Sequence, residues 1–170
     1  MPTFGVNETS GMPDSAQLLV YVDANPFIYA IEGEDAVARP LNDLFALFRQ
    51  RPGMAITSEL TLAEVLPKAR PPAVRRAYLD LIVWSGIFDL KPVTRGVLVE
   101  TADYRRVAAS LLPDGRQAMP KLPDAIHVVT AIRSGCPIVL STDNRLKVPV
   151  GVRLVEADAA GVVALTRELI

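Results

Sequence analysis

The chain has one cysteine, one histidine and one tryptophan, and each scarcity narrows what it can be. Cys136 has no partner for an internal disulfide, and a lone histidine, His127, leaves a zinc site short of its usual ligands. No apolar run approaches the roughly 18 residues needed to cross a bilayer. The opening MPTFGVNETSGMPDSAQ has neither the basic start nor the apolar core of a secretory signal. These absences point to a cytoplasmic protein with a flexible leader over residues 1–17 and no membrane partner. Charge of one sign is also missing. Lys and Arg number 18 against 19 Asp and Glu, a net of −1, so any attraction for phosphate must come from local patches. No repeat, no low-complexity tract and no Gly-rich turn after the first apolar run is present, which sets aside P-loop and dinucleotide-binding readings.

What the chain does have is apolar residues, 50% of its 170, enough for one domain with a substantial core and too few for two. That domain is expected over residues 18–170. It is organised around LLVYVDANPFIYAI at 18–31. Leu18, Leu19, Val20 and Val22 suit a strand buried on both faces, and Asn25-Pro26 offers an N-cap followed by proline at the first helical position. Asp23 then stands at the carboxyl end of the first strand, where open α/β sheets bind their ligands.

Apolar residues at spacings of three and four predict a helix over 35–49. A strand follows at 54–57, then a helix over 61–69 whose Thr61-x-x-Glu64 start matches a capping box. Another helix is expected over 73–84, a strand at 87–90, and a long helix over 94–112 stopped by Pro113-Asp114-Gly115. A helix over 123–134 stopped by Gly135, strands at 137–140 and 152–155, and a closing helix from Asp158 to about residue 169 complete the chain. Such alternation implies an α/β fold with a mainly parallel sheet of four to five strands and helices on both faces.

Four acidic residues stand where that topology would gather them. Asp23 and Asp143 follow apolar strands, Glu64 lies one turn into the helix after the second strand, and Asp124 opens the helix leading to the fourth. Singly, each has an ordinary explanation as a cap, a first-turn acid or a turn residue. Jointly they form a set of carboxylates that resists burial without a cation. Oxygen ligands select hard ions, Mg²⁺ or Mn²⁺, and an ion so held activates water for phosphodiester hydrolysis. Arg145 and Lys147, just after Asp143, are placed to meet a nucleic-acid backbone. His127 falls one turn after Asp124 but reads as a hydrogen-bonded structural residue. Cys136 reads as a small buried hydrophobe, and Trp84 and the phenylalanines as core. No G-x-S-x-G elbow supports a serine triad.

Four segments, VYVDANPFIYAI, ITSELTLAEVL, LPDAIHVVTA and VLSTDNRL, together resemble the PIN-domain family, most closely its VapC-type ribonuclease toxins. The resemblance runs from residue 18 to about 155, and its specificity lies in the ordered set rather than in any one motif. It implies a three-layer α/β/α sandwich and an endoribonuclease in which Asp23, Glu64, Asp124 and Asp143 bind Mg²⁺ or Mn²⁺. It also implies that Asn25, Ser141 and Thr142 orient the site, and that the protein acts on RNA as a homodimer restrained by a small antitoxin. The helices over 35–49 and 73–84 are the candidate surfaces for those contacts. Two other readings compete. One is a PIN-like module that binds RNA or protein without cutting. The other is a haloacid-dehalogenase-like phosphatase, which would need an acid two residues after Asp23, where Asn25 stands.

Overall fold

The computed structural model describes residues 18–170, so the leader expected over 1–17 lies outside the described residues. Its centre is β1 (Val20–Val22), every residue of which is buried. β1 pairs in parallel with β2 (Ala55–Ser58) on one side and with β6 (Ile138–Ser141) on the other. β3 (Phe88–Lys91) extends the sheet beyond β2 and β7 (Arg153–Glu156) beyond β6, giving the parallel order β3-β2-β1-β6-β7. A strand flanked on both edges and covered on both faces reads as an unbroken apolar run, as 18–22 does.

The period of two along β1 divides the interior. Val20 and Val22 point into a large core with Phe27, Leu41, Phe48, Val65 and Leu165, from α1 (Ala24–Glu32), α2 (Asp35–Gln50), α3 (Leu60–Val65) and α7 (Ala159–Leu169). Tyr21 points the other way, to Ala131, Cys136 and Val139 beneath α6 (Leu122–Arg133). α5 (Arg95–Val107) packs on α6 through Val97, Ile126 and Val129. The result is three layers. Phe27, Phe45 and Phe88 form an aromatic cluster at the centre of the larger core, with centroids 4.8 to 5.6 Å apart and Phe88 edge-to-face with the other two rings. Gly135, at φ +69°, closes α6, and the Cys136 amide returns to the Ala131 carbonyl at 3.0 Å.

Five expectations need correction. The N-cap of α1 is Asp23, whose carboxylate accepts from the Ala24 amide at 2.7 Å, and Asn25-Pro26 lies inside the first turn. No capping box forms at Thr61-x-x-Glu64. α3 already begins at Leu60, the Thr61 hydroxyl is turned inward to that of Thr57, and Glu64 reaches across to another helix. The helix expected over 94–112 ends at Val107, and β4 (Ser110–Leu111) pairs antiparallel with β5 (Gln117–Ala118), so Pro113-Asp114-Gly115 turns a hairpin. The helix over 73–84 is α4 (Pro72–Leu79) continued as a π-helical turn, Asp80–Trp84, that leaves Trp84 58% exposed with the Arg76 guanidinium 5.0 Å from its ring centre. The apolar face of α2 is spent inside the subunit against α1 and α7, so it offers no contact surface. Among the described residues, no helix is long and apolar enough to cross a membrane.

Candidate active site

β1 and β6 are neighbours in the sheet although the chain leaves β1 toward β2 and β3, and later leaves β6 toward β7. Connections that diverge in this way open a crevice at the carboxyl ends of the two central strands. Asp23 sits in that crevice, immediately after β1. Both its oxygens are held: Oδ1 accepts from the Ala24 amide at 2.7 Å and Oδ2 from the Ser141 hydroxyl, at the end of β6, at 2.7 Å. The capping geometry that starts α1 therefore also fixes the acid, and Ser141 ties it to the neighbouring strand.

Glu64 approaches from α3. That helix is anchored to β1 by Thr57, whose hydroxyl donates to the Val22 carbonyl at 2.7 Å and lies 2.9 Å from the Thr61 hydroxyl. From α6 comes His127, 1% exposed, with Nε2 2.6 Å from Glu64 Oε2 and 3.3 Å from Asp23 Oδ1. Two carboxylates can only accept, so Nε2 carries a proton. In the neutral ring, Nδ1 then accepts from the Tyr21 hydroxyl at 2.7 Å. Burial pushes the His127 pKa down, but the Glu64 hydrogen bond and the charges of Asp23, Glu64 and Asp124 outweigh it and raise it. Burial, reinforced by the Asp23 charge, holds the Tyr21 phenol well above its usual range and so protonated.

Asp23, Glu64 and His127 offer ligand atoms that all lie within 4.8 Å of one another. Asp124, in the first turn of α6, is close enough that the Asp23 and Asp143 charges add to its burial in raising its pKa. Asp143 begins the turn after β6 and is lowered instead, because the Arg145 amide donates to it at 2.9 Å and the guanidinium lies beside it. Asp124 and Asp143 line a cleft of about 590 Å³ with Lys121, Arg145 and Lys147. The Lys147 ammonium donates to the Ala108 carbonyl at 2.7 Å and to the Ser110 hydroxyl. Asn25 is exposed, and Thr142 lines a separate cavity with Tyr29, Val37 and Glu156.

The donor set suits a hard divalent cation. Asp23 and Glu64 supply oxygens beside His127, Asp124 is near enough to feel the Asp23 charge, and mutual repulsion among the acids favours a cation between them. His127 is the residue whose place sequence reasoning undervalued. It orients Glu64 and is itself oriented by Tyr21, over 63 and 106 positions of chain. The one sequence signal was its position one helical turn after Asp124, which puts both on the same face of α6.

A sequence-family model described as PIN domain matches residues 20–150. No curated protein matches the sequence. Among solved structures, the fold is similar to VapC20 of Mycobacterium tuberculosis, a sarcin-ricin loop cleaving toxin. The two share 18% identity over 73% of this chain and 91% of that one, with a TM-score of 0.52. It is also similar to VapBC2 from Rickettsia felis, solved bound to a DNA fragment from its promoter. Here identity is 14% over 81% of this chain and 97% of that one, with a TM-score of 0.56. At these identities the likeness is one of fold.

Proposed function

Because the chain belongs to the PIN-domain family, matched over residues 20–150, we propose that it is a Mg²⁺- or Mn²⁺-dependent endoribonuclease and the toxin of a type II toxin-antitoxin pair. The observation that carries this reading is the meeting of Asp23 and Glu64 with His127, within 4.8 Å, in the crevice between β1 and β6. Asp23, Glu64, Asp124 and Asp143 are the residues to hold the ion. Bound there, Mg²⁺ or Mn²⁺ supplies charge stabilisation and water activation for phosphodiester hydrolysis.

The chain's own residues do the positioning. The Ala24 amide and the Ser141 hydroxyl fix the two oxygens of Asp23, His127 fixes Glu64, and the Arg145 amide fixes Asp143. A carboxylate whose orientation is preset loses little freedom when it binds. The cleft beside Asp124 and Asp143 gives an RNA chain a route past them. The toxin role draws support from the fold it shares with VapC20 and VapBC2. With that role go a cytoplasmic setting, a cognate antitoxin and a homodimer. Of the two helices considered for those contacts, the α4 segment keeps Val83 and Trp84 exposed.

The test is cleavage of a structured-RNA pool that includes ribosomal RNA, by folded, antitoxin-free protein in Mg²⁺, Mn²⁺ or EDTA. Wild type should cut only with metal, and Asp23→Asn should cut on the order of a hundredfold more slowly or not at all. A folded wild type that cuts nothing under either metal overturns the catalytic reading in favour of a non-cutting PIN-like module. Release of phosphate from simple monoesters in its place would point to the phosphatase.

A further inference from the structure

His127 is the member of the crevice to which a site of carboxylates gives no part in holding the ion. Among the described residues, Asp23, Glu64 and His127 are the group whose ligand atoms all stand within 4.8 Å of one another. Asp124 and Asp143 fall outside that group, and Asp143 is drawn instead toward the Arg145 amide, which donates to it at 2.9 Å. The ready-made donor set is therefore mixed, two oxygens and one nitrogen. Its spacing suits an ion. Ligands at right angles around a small divalent cation stand ~3 Å apart, given metal–ligand distances near ~2.1 Å. Nε2 lies 3.3 Å from Asp23 Oδ1 and 2.6 Å from Glu64 Oε2, on either side of that separation.

The ring is also held as a ligand would be. It is buried, stands edge-on to the Tyr21 ring with centroids 5.8 Å apart, and has Nδ1 at 2.7 Å from the Tyr21 hydroxyl. With no ion present, the proton on Nε2 bridges the two acids and Nδ1 accepts from the phenol. For Nε2 to offer its lone pair, the neutral ring must carry that proton on Nδ1 and donate it to the Tyr21 oxygen. The phenol then needs an acceptor for its own proton. Ser58 supplies one, since its hydroxyl is hydrogen-bonded to the phenol oxygen. Hydroxyls donate and accept alike, so the relay from Ser58 through Tyr21 to His127 can run in either direction. A metal-ligating imidazole is ordinarily fixed in this way, through a hydrogen bond from its other nitrogen.

We propose that His127 Nε2 is a direct ligand of the divalent ion, beside Asp23 and Glu64, and that this nitrogen makes the site prefer transition ions, Mn²⁺ and more strongly Co²⁺, over Mg²⁺. The proposal rests on the metal-dependent reading of this crevice and adds which ion it selects. Carboxylates alone would take Mg²⁺ as readily as Mn²⁺. An imidazole breaks that tie, because Mg²⁺ keeps to oxygen and water, whereas nitrogen affinity rises along the transition series from Mn²⁺ to Co²⁺.

The experiment is calorimetric titration of the full chain, free of any polyhistidine tag, with Mg²⁺, Mn²⁺ and Co²⁺, together with pulsed electron paramagnetic resonance of the Mn²⁺ complex. The protein is prepared with ordinary and with ring-¹⁵N histidine. The chain holds a single histidine, so an imidazole signal can come only from His127. Wild type should bind Mn²⁺ about tenfold and Co²⁺ about a hundredfold more tightly than Mg²⁺. Its bound Mn²⁺ should show a nitrogen coupling that changes with the isotope. His127→Gln keeps an N–H donor for Glu64 but no ring nitrogen; it should lose the coupling and cut the preference for Co²⁺ over Mg²⁺ about tenfold. Mn²⁺ bound without nitrogen coupling overturns the proposal and leaves the ion on oxygens alone. Equal losses of Mg²⁺ and Co²⁺ affinity in the variant also overturn it, as the mark of a histidine that only positions Glu64. The wild-type spectrum decides by itself where the variant does not fold. Failure to bind any of the three ions overturns the metal-dependent reading along with the proposal.

Discussion

Tyr21 and His127 show how one hydroxyl governs a charged site from the buried side. The phenol holds Nδ1 at 2.7 Å, so Nε2 has no choice but to face Glu64 and Asp23. Removing the hydroxyl with Tyr21→Phe leaves a buried ring nitrogen unpartnered, at a cost of about 1–3 kcal/mol, and frees the ring to turn. Mn²⁺ affinity measured by calorimetry should then fall about 10–100-fold while the far-ultraviolet circular dichroism stays that of wild type. Unchanged affinity would mean that Tyr21 is only packing. This pair was illegible in the sequence because its partners are 106 positions apart, and nothing local distinguishes a tyrosine that packs from one that orients. The strand-end positions of Asp23 and Asp143 were legible for the opposite reason: one follows β1 and the other comes two residues after β6, so local pattern alone places them in the chain. Cys136 was equally readable. It is buried, and burial pushes its thiol up to about 12, as expected of a cysteine that serves as core.

Strands and helices were legible as elements because buried parallel strands read as apolar runs and amphipathic helices as a period near 3.6. Ends were harder, since the same residues serve two structures. Pro113-Asp114-Gly115 stops a helix or turns a hairpin equally well, and the pairing of Ser110 with Ala118 decides for the hairpin. Trp84 was misread because the period of α4 breaks where its last turn becomes π-helical, which rotates the final side chains away from the core. The consequence is measurable. Trp84→Ala should change the urea midpoint little, within about 1 kcal/mol including the loss of the Arg76 stacking. Phe88→Ala, which empties the centre of the aromatic cluster, should cost about 3–5 kcal/mol. A Trp84 variant as unstable as the Phe88 variant would place the indole in the core after all.

At the scale of the molecule, the order β3-β2-β1-β6-β7 brings acids from distant segments to one crevice, and the fold carries the resulting repulsion. Asp124 records it: burial first, then the charges of Asp23 and Asp143, keep its proton on to a higher pH than usual. His127 offsets part of this by placing one N–H between Asp23 and Glu64, but a single proton leaves the remaining carboxylates unbalanced. A divalent cation that binds the folded crevice, and not the dispersed acids of the unfolded chain, must therefore stabilise the whole domain by linkage. At about 100 times its dissociation constant the gain is about 2.7 kcal/mol, which for a domain of this size raises the thermal midpoint by about 5–10 °C. Asp23→Asn should keep the α1 cap, since asparagine caps as well as aspartate, yet lose most of the metal-induced rise. Thermal melts of both proteins in EDTA and in excess Mn²⁺ separate the two roles of Asp23. Equal rises in wild type and variant would mean that the ion binds elsewhere, and no rise in either would mean that His127 alone is the counter-charge of the crevice.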